Sequence, residues 1–231
     1  DAEHIKKEMI TLGSVPEVIT IIIFGVDVKK FAPRLKDVHI IKKFNCTDST
    51  IIISLRSLNP IYSIDTLISS IPTVVQKHEN VIFFIAGKGS EEQNLRILAE
   101  NLGISRYIKF IGQLSSEELP NFLNTADIYV SSSLSDAGLS ASTAEAMASG
   151  LPVIITEFGD NSLWVQEGKG GYLFPKKNAQ ILAEKIIHLI EHPELRKEFG
   201  ATNRNIIEEK NNYYREMEKM EKIYENLVKK K

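Results

Sequence analysis

From Ile51 onward, short apolar runs alternate with amphipathic stretches, and this alternation constrains the fold more than any other feature. Each apolar run has the length of a buried strand, whereas each intervening stretch has the period of a helix that covers one face of a sheet. Strands that alternate with helices pair in parallel, because each helix returns the chain to the starting edge of the sheet. The pattern therefore predicts an α/β fold with a doubly wound, Rossmann-like parallel sheet.

The alternation predicts about six strands and the helices between them. The strands are expected at residues 51–55, 81–86, 108–111, 128–131, 152–155 and 171–174. The helices are expected at residues 63–77, 91–102, 116–124, 142–149 and 162–166. Beyond Asn178 the sequence is nearly all helical, so a helical tail is expected to follow the last strand.

The sequence before Ile51 follows a different pattern. An amphipathic segment ends at Gly13, and the apolar run over residues 18–24 predicts a buried strand. We interpret residues 1–45 as the tail of an N-terminal domain with a linker, residues 46–210 as the sheet domain, and residues 211–231 as a terminal helix. The first residues, DAEHIKKEMI, lack an initiator methionine, which favours an excised fragment of a longer protein.

The terminal helix carries an apolar stripe at helical spacing, which indicates that one of its faces packs against another surface. The stripe consists of Tyr213, Met217, Met220, Ile223 and Tyr224. The lysines at the end of the chain are favoured by the helix dipole, so we interpret them as a solvated helix end rather than a membrane tether.

Composition and charge exclude several classes of protein. With 43% hydrophobic and 25% charged residues, the chain is typical of a soluble globular protein. The longest apolar run, over residues 18–26, is shorter than the ~20 residues of a membrane-spanning helix. With 28 basic and 30 acidic residues, the chain has no excess positive charge that would attract nucleic acid. The single cysteine, Cys46, excludes an internal disulfide and fits a reducing, cytoplasmic compartment.

Candidate site residues follow the predicted strands, where open α/β sheets bind their ligands. Arg56 follows the first strand and offers a planar fork that matches phosphate oxygens, although a surface ion pair would explain it equally well. Gly87 and Gly89 follow the second strand, and they fit either a ligand-binding loop or a tight strand-to-helix turn. Asp136 follows the fourth strand and fits either a sugar hydroxyl or a turn cap.

The segment SDAGLSASTAEAMASG carries the strongest signal. Small residues such as Gly138 and Ser140 allow a ligand to approach the backbone, and the amides of the following helix start suit a phosphate. Glu145 lies where a carboxylate could accept two hydrogen bonds from a ribose diol. Alternatively, Ser142 and Glu145 have the spacing of a capping box, in which Glu145 would only stabilise its own helix.

Neither a DxD motif nor histidine spacing indicates a metal site. We therefore expect no metal and no cofactor, with the charge of a leaving diphosphate stabilised by Arg56 and the helix amides.

The sequence around these candidate residues resembles a known family. The stretch ADIYVSSSLSDAGLSASTAEAMASGLPVIITEFGDN resembles the signature region of the retaining glycosyltransferases of family 4, also called group 1 glycosyltransferases. Further matches are FGVDVKKFAP, SLRSLNPIYSIDTLI, IAGKG and GKGGYLFP, in the expected order. The resemblance covers roughly residues 20–210.

The resemblance implies a GT-B architecture, in which two Rossmann-like domains face a cleft and the C-terminal one holds the nucleotide-sugar donor. It implies that Glu145 contacts the nucleotide ribose and that Arg56 contacts the diphosphate. It also implies that the amides of Gly138, Leu139 and Ser140 lie near the phosphates. The donor is expected to be a UDP-sugar, which the family uses most often.

For the parent protein, the resemblance implies a role in carbohydrate biosynthesis. The parent would transfer sugar, with retention of configuration, to a glycan or glycolipid acceptor that its N-terminal domain binds. Peripheral association of the parent with a membrane is a further expectation. The terminal helix would pack across to that domain, so this chain alone is expected to bind donor weakly and not to transfer sugar.

Two positions depart from the family pattern. Ala137 stands where the family has its first glutamate, which contacts the donor sugar, and Asp136 one residue earlier is the candidate substitute. Tyr62 stands where a lysine usually joins the arginine on the diphosphate. A tyrosine donates one hydrogen bond but carries no positive charge at neutral pH.

Three other functions remain open at the level of sequence. The two departures fit a nucleotide-sugar-binding module without catalysis. A nucleotide-sugar epimerase shares the two-domain plan and would release an epimerised sugar without any acceptor. Finally, the basic C-terminal helix could make the protein a structural interaction partner. In that case, deletion of residues 211–231 would abolish a complex and leave donor binding intact.

Overall fold

The computed structural model describes residues 3–23, 25–136 and 138–229, and its centre is one parallel sheet of six strands. The strands are β1 (Thr50–Leu55), β2 (Val81–Ala86), β3 (Ile108–Gly112), β4 (Ile128–Ser131), β5 (Val153–Thr156) and β6 (Gly171–Phe174). Each predicted strand from Ile51 onward is confirmed, with its ends within one residue of the expected positions.

The strand order is β3-β2-β1-β4-β5-β6, with every neighbouring pair parallel. After β3, at one edge, the chain crosses back to the middle and places β4 beside β1, with Ile52 opposite Ile128. The sheet therefore reverses its direction of growth between β1 and β4. This topology confirms the predicted doubly wound fold and creates a crevice at the carboxyl ends of β1 and β4.

Helices cover both faces of the sheet, and others lie outside it. The helices among the described residues are α1 (Glu3–Thr11), α2 (Val38–Phe44), α3 (Ile64–Lys77), α4 (Glu92–Asn101), α5 (Leu119–Thr125), α6 (Ala141–Ala148), α7 (Asn161–Trp164), α8 (Ala179–Glu191), α9 (Pro193–Lys210) and α10 (Tyr213–Lys229). Ile52 of β1 packs with α3, α4 and α8, whereas Ile51 and Ile53 pack with α2, α5 and α6. In the part of the chain that the structure describes, no helix has the length and apolarity to cross a membrane.

One predicted strand is wrong. Residues 16–18 form a 3₁₀ turn and residues 19–23 belong to no strand, while Phe24 lies outside the described residues. An isoleucine-rich run fits a strand only where a neighbouring strand accepts its main-chain hydrogen bonds. Here the N–H of Ile23 donates instead to the Glu216 carboxylate of α10, at 3.2 Å. Glu216 is 2% exposed and also pairs with Lys219.

The segment after this run is fixed to the junction of α9 and α10. The N–H of Gly25 donates to Asn211 Oδ1 at 2.9 Å, and the N–H of Val26 donates to the Asn211 carbonyl at 2.8 Å. Arg204 of α9 donates to the carbonyls of Val28, at 2.9 Å, and Ala148, at 2.7 Å. The turn-rich segment is thereby joined to both α9 and the end of α6.

Helix α6, which carries several candidate site residues, is positioned by a close contact with α9. A Cβ atom on Gly200 of α9 would lie 2.0 Å from the carbonyl oxygen of Gly150, directly after α6. Only a glycine permits this approach of two backbones.

We expect Gly200→Ala to lower the free energy of unfolding by about 2 kcal/mol, because the added methyl group forces α9 away from α6. Intrinsic helix propensity alone predicts the opposite sign, since alanine is the better helix former. Urea unfolding followed by circular dichroism measures the change. Asn205→Ala at an exposed position of α9 is the control and should be neutral or slightly stabilising. An equally stable Gly200→Ala protein would contradict the contact.

Candidate functional site

Arg56 lies at the carboxyl end of β1 and is 9% exposed. Its Nη1 donates to Ser142 Oγ of α6 at 3.2 Å, and its Nη2 donates to Ser133 Oγ at 3.4 Å. Nη2 also forms an ion pair with Asp136 Oδ1. The ion pair expected as one alternative for Arg56 is thus present, but both of its side chains are buried rather than on the surface.

Tyr62 lies against Arg56 through its ring. The guanidinium carbon is 4.5 Å from the ring centroid, a cation–π contact that fixes the plane of the guanidinium. Tyr62 ends the 3₁₀ turn that precedes α3, and its carbonyl accepts a hydrogen bond from Ser132 Oγ at 3.0 Å. The structure therefore brings together three predicted site residues, Arg56, Tyr62 and Asp136.

A buried tyrosine extends this cluster into β4. Tyr129 is fully buried, and its hydroxyl donates to Ser142 Oγ at 2.9 Å. Burial raises the pKa of the Tyr129 hydroxyl, so it stays protonated as a donor. Tyr129 and Ser142 were not predicted as partners of Arg56. The only signal for these contacts in the sequence is the tyrosine itself, which lies among apolar residues of a predicted buried strand. The hydroxyl of a buried tyrosine requires a hydrogen-bond partner.

Gly87 and Gly89 are required by the packing of two loops. A Cβ on Gly87 would lie 2.2 Å from the carbonyl oxygen of Arg56, and one on Gly89 would lie 2.2 Å from that of Leu58. The N–H of Leu58 in turn donates to the Lys88 carbonyl at 3.0 Å. The close approach of the loops after β1 and β2 thus explains both glycines, and it brings the loop after β2 against Arg56.

A cavity of about 230 Å³ opens between the loops that follow β1, β2 and β3. Arg56 and Lys88 are the cations among its lining residues, which are Leu55, Arg56, Ser57, Ala86, Gly87, Lys88, Gln113, Leu114 and Leu119. The cavity therefore combines apolar walls with a buried guanidinium at the carboxyl edge of the sheet.

The start of α6 excludes the capping-box interpretation. Ser140 is the N-cap, because its Oγ accepts a hydrogen bond from the N–H of Thr143 at 3.3 Å. Ser142 is already inside the helix, so its spacing to Glu145 does not form a capping box. Gly138 has φ +141°, a conformation that favours glycine, and the family's first-glutamate position, Ala137, lies outside the described residues.

The main-chain N–H groups of Gly138, Leu139, Ser140 and Ser142 donate to no acceptor within the described ranges. Such free amides at a helix start carry partial positive charge and suit an anion.

Glu145 is a half-buried carboxylate that makes no hydrogen bond with the described residues. Burial raises its pKa from 4.5 to about 7, although the positive charge of Lys30 partly opposes the rise. A folded-state pKa above the ordinary value means that the fold loses stability as the pH rises from about 4.5 to about 7, where the unfolded chain ionises Glu145 more readily than the folded one. A ligand that donates hydrogen bonds to the carboxylate would offset this cost.

A larger cavity of about 620 Å³ lies between the starts of α3 and α4 and contains none of the predicted site residues. Asp65 and Glu91 contribute acidic groups to its lining, against the single cation Lys177. This charge balance disfavours a diphosphate, so we do not place the candidate site there. Across residues 3–23, 25–136 and 138–229, no three His, Cys, Asp or Glu side chains lie close enough to hold a metal ion.

Comparison with protein families gives a match over residues 37–206 to the model described as "Glycosyl transferases group 1". A GDP-mannose-dependent monoacylated alpha-(1-6)-phosphatidylinositol monomannoside mannosyltransferase of Corynebacterium glutamicum is 32% identical over 193 residues, 80% of this chain and 50% of that protein. An uncharacterized glycosyltransferase of Methanocaldococcus jannaschii is 31% identical over 65% of this chain and 38% of its own. The chain spans half or less of the length of these relatives.

Solved structures share the fold. S. aureus TarM, in a complex with Fondaparinux, alpha-GlcNAc-glycerol and UDP, is 25% identical, with a TM-score of 0.79 over 96% of this chain and 42% of TarM. The C-terminal domain of a group 1 family protein, LpcC of Francisella tularensis, has a TM-score of 0.74 at 23% identity, over 81% of this chain and 99% of that domain. Anabaena HepE with UDP and glucose has a TM-score of 0.85 at 18% identity, over 95% and 60% of the two chains.

We expect Tyr129→Phe to lower the free energy of unfolding by about 1 to 2 kcal/mol, because Ser142 Oγ loses a buried donor. Tyr224→Phe removes the same atom from a side chain that is 62% exposed, so it should change stability little. Denaturant unfolding of both variants measures the difference. Equal stabilities would show that the Tyr129 hydroxyl does not hold the cluster together.

Proposed function

The chain belongs to the group 1 glycosyltransferases, and on that premise we propose that it is the donor-binding part of an enzyme that uses a nucleotide-sugar. The observation that carries the proposal is the meeting of Arg56 and α6 at the carboxyl edge of the sheet, joined through Ser142 at 3.2 Å. Glu145 lies one helical turn beyond Ser142, so both are on the same side of α6. A guanidinium, a helix start and a carboxylate are thereby directed to one crevice.

In this proposal the donor diphosphate binds between Arg56 and the start of α6. The guanidinium supplies charge-assisted hydrogen bonds, and the amides of Gly138, Leu139 and Ser140 supply the partial charge of the helix start. These groups stabilise the negative charge that develops on the leaving diphosphate, and the proposed reaction needs no metal ion for that purpose.

We assign the nucleoside to the groups on either side of the diphosphate. Glu145 accepts hydrogen bonds from the ribose diol, which offsets the cost of keeping a carboxylate in a buried position. The 230 Å³ cavity beside Arg56 receives part of the donor. A UDP-sugar is the proposed donor, with the TarM and HepE complexes containing UDP in support. GDP-mannose is the first alternative, because the Corynebacterium relative is named for it.

The chemistry we propose is that of the retaining enzymes of family 4, in which the sugar keeps its anomeric configuration. Asp136 takes the sugar contact that the family assigns to its first glutamate, since it forms an ion pair with Arg56, the proposed diphosphate ligand. The acceptor is a glycan or a glycolipid, bound with the help of the rest of a longer, cytoplasmic protein that associates peripherally with membranes.

We further propose that the chain is the C-terminal half of a GT-B enzyme, with domain limits at residues 45 and 210. The support comes from the length of the relatives and from the apolar stripe of α10. Tyr213 is 43% exposed and Tyr224 is 62% exposed, and both line a cavity of about 470 Å³ along the helix. A second domain that packs on α10 would cover this stripe and complete the cleft.

A nucleotide-sugar-binding module without catalysis is the second candidate. The observation that favours it is the cluster around Arg56, in which a tyrosine ring and an aspartate occupy the surroundings of the guanidinium. Sugar transfer or donor hydrolysis by the full-length protein would exclude the module.

We expect Glu145→Ala to weaken nucleotide-sugar binding by about 1 to 3 kcal/mol, because the ribose hydroxyls lose a charged acceptor. Calorimetric titration with UDP-glucose and GDP-mannose measures the affinity and identifies the base. Glu198→Ala removes an exposed glutamate of α9 and serves as the control for the change in net charge. An equal loss of affinity in both variants would show that Glu145 does not contact the nucleotide-sugar.

The affinity for a nucleotide-sugar should also rise between pH 6 and pH 8, by up to about tenfold. The reason is that Glu145, with a pKa near 7 in the free protein, accepts hydrogen bonds well only when it is ionised. The diphosphate of a nucleotide-sugar has no ionisation in this range. Titrations at three pH values test the rise, which should be absent in Glu145→Gln. A rise of the same size in that variant would assign it to another group.

A further inference from the structure

The guanidinium of Arg56 is paired with an anionic side chain of the chain itself. Its partner is the carboxylate of Asp136, and the two side chains are each 9% exposed. We propose that Asp136 is an internal counter-anion that the donor diphosphate has to displace from Arg56. This inference rests on the proposed function, because it takes Arg56 as the diphosphate ligand. It adds that donor binding is an exchange of one anion for another.

The hydrogen bonds of Arg56 show where the exchange takes place. Nη1 donates to Ser142, and Nη2 donates to Ser133 and Asp136. The buried Nε has no partner in the described structure. Nε and Nη2 form the edge of a guanidinium that binds a carboxylate or phosphate with two parallel hydrogen bonds. Asp136 fills only the Nη2 half of that edge, so an anion that fills both halves can replace it.

The charges make simultaneous binding unfavourable. A diphosphate and the Asp136 carboxylate are both negative, and at adjacent positions on one guanidinium they repel each other strongly because burial reduces screening. Of the residues that line the adjoining cavity, Lys88 is the only other cation. Tyr62 contributes a ring but no positive charge. The donor therefore gains the Arg56 charge only when Asp136 leaves it.

A hydrogen bond within the turn before Asp136 and the nearby loop after β5 frame this residue, and we assign the exchange to its side chain. Ser133 Oγ donates to the carbonyl of Ser135 at 3.1 Å, which holds the turn before Asp136. The carbonyl oxygen of Asp136 lies 3.3 Å from the position of a Cβ on Gly159, in the loop after β5. A rotation of the Asp136 side chain releases Arg56 and leaves the carboxylate free to accept hydrogen bonds from the sugar hydroxyls. Binding of the diphosphate and placement of the sugar contact are then one event.

Titration of the wild-type chain and Asp136→Asn with UDP, GDP and pyrophosphate tests the exchange. The asparagine keeps the size of the side chain but removes its charge, so Asp136→Asn should bind UDP or GDP on the order of tenfold more tightly. Pyrophosphate should show the same preference because it carries the displacing charge without a nucleoside. Asp48→Asn, at an exposed position, makes the same change in net charge and should leave the affinities unchanged.

The ligand-free Asp136→Asn protein should have a lower Tm than the wild type, because Arg56 then stays buried without a counter-charge. Nucleoside diphosphate should raise its Tm by more than it raises the Tm of the wild type. If circular dichroism shows that Asp136→Asn does not fold, Asp136→Ser provides the same loss of charge with a smaller side chain.

Arg56→Gln separates this inference from the proposed function. The gain from Asp136→Asn should disappear when it is combined with Arg56→Gln, because no guanidinium remains to be exchanged. Affinity that is equal or weaker in Asp136→Asn, a gain that persists without Arg56, or no binding by either chain overturns the exchange. If Arg56→Gln alone binds as tightly as the wild type, the assignment of Arg56 to the diphosphate is wrong.

Discussion

The parallel pairing of β1 with β4 is the constraint on which the rest of the structure depends. Because these strands run in the same direction, the residues that follow them emerge side by side, although Arg56 and Ser133 are far apart in sequence. Arg56 directly follows β1 and Glu145 lies in α6, whereas Asp136 lies in the loop that joins β4 to α6. The buried tyrosine of β4 and the Arg56 guanidinium both donate to Ser142, in the first turn of α6, for this reason.

Sequence patterns are sufficient to predict the sheet, since buried strands and amphipathic helices differ in period and the strand ends are marked by turn residues. They fail where a segment depends on distant partners. Residues 18–24 have the composition of a strand, but no adjacent strand pairs with the described part of that run. Local spacing can also fit more than one helix start: Ser142 and Glu145 have capping-box spacing, yet Ser140 is the N-cap, because its side chain accepts the hydrogen bond from the N–H of Thr143.

The grouping of Arg56, Asp136 and the start of α6 was predictable from the sequence, whereas Tyr129 and the connections among these residues were not. The three follow predicted strands, and topology places the residues that follow parallel strands at one edge of the sheet. Their mutual contacts could not be read from one sequence, since the spacing of Arg56 and Asp136 along the chain carries no information on an ion pair between them. The pKa of Glu145 is likewise a property of its packing, because burial by neighbouring elements is its cause.

Glu216, buried in α10, binds the N–H of Ile23. This hydrogen bond and the one from Gly25 to Asn211 hold two segments of the chain side by side. One segment leads into the sheet, and the other leaves α9. The two segments therefore cannot separate unless the main-chain N–H groups of both Ile23 and Gly25 give up their acceptors. A displacement of α10 would be passed on directly to the segment that leads into the sheet.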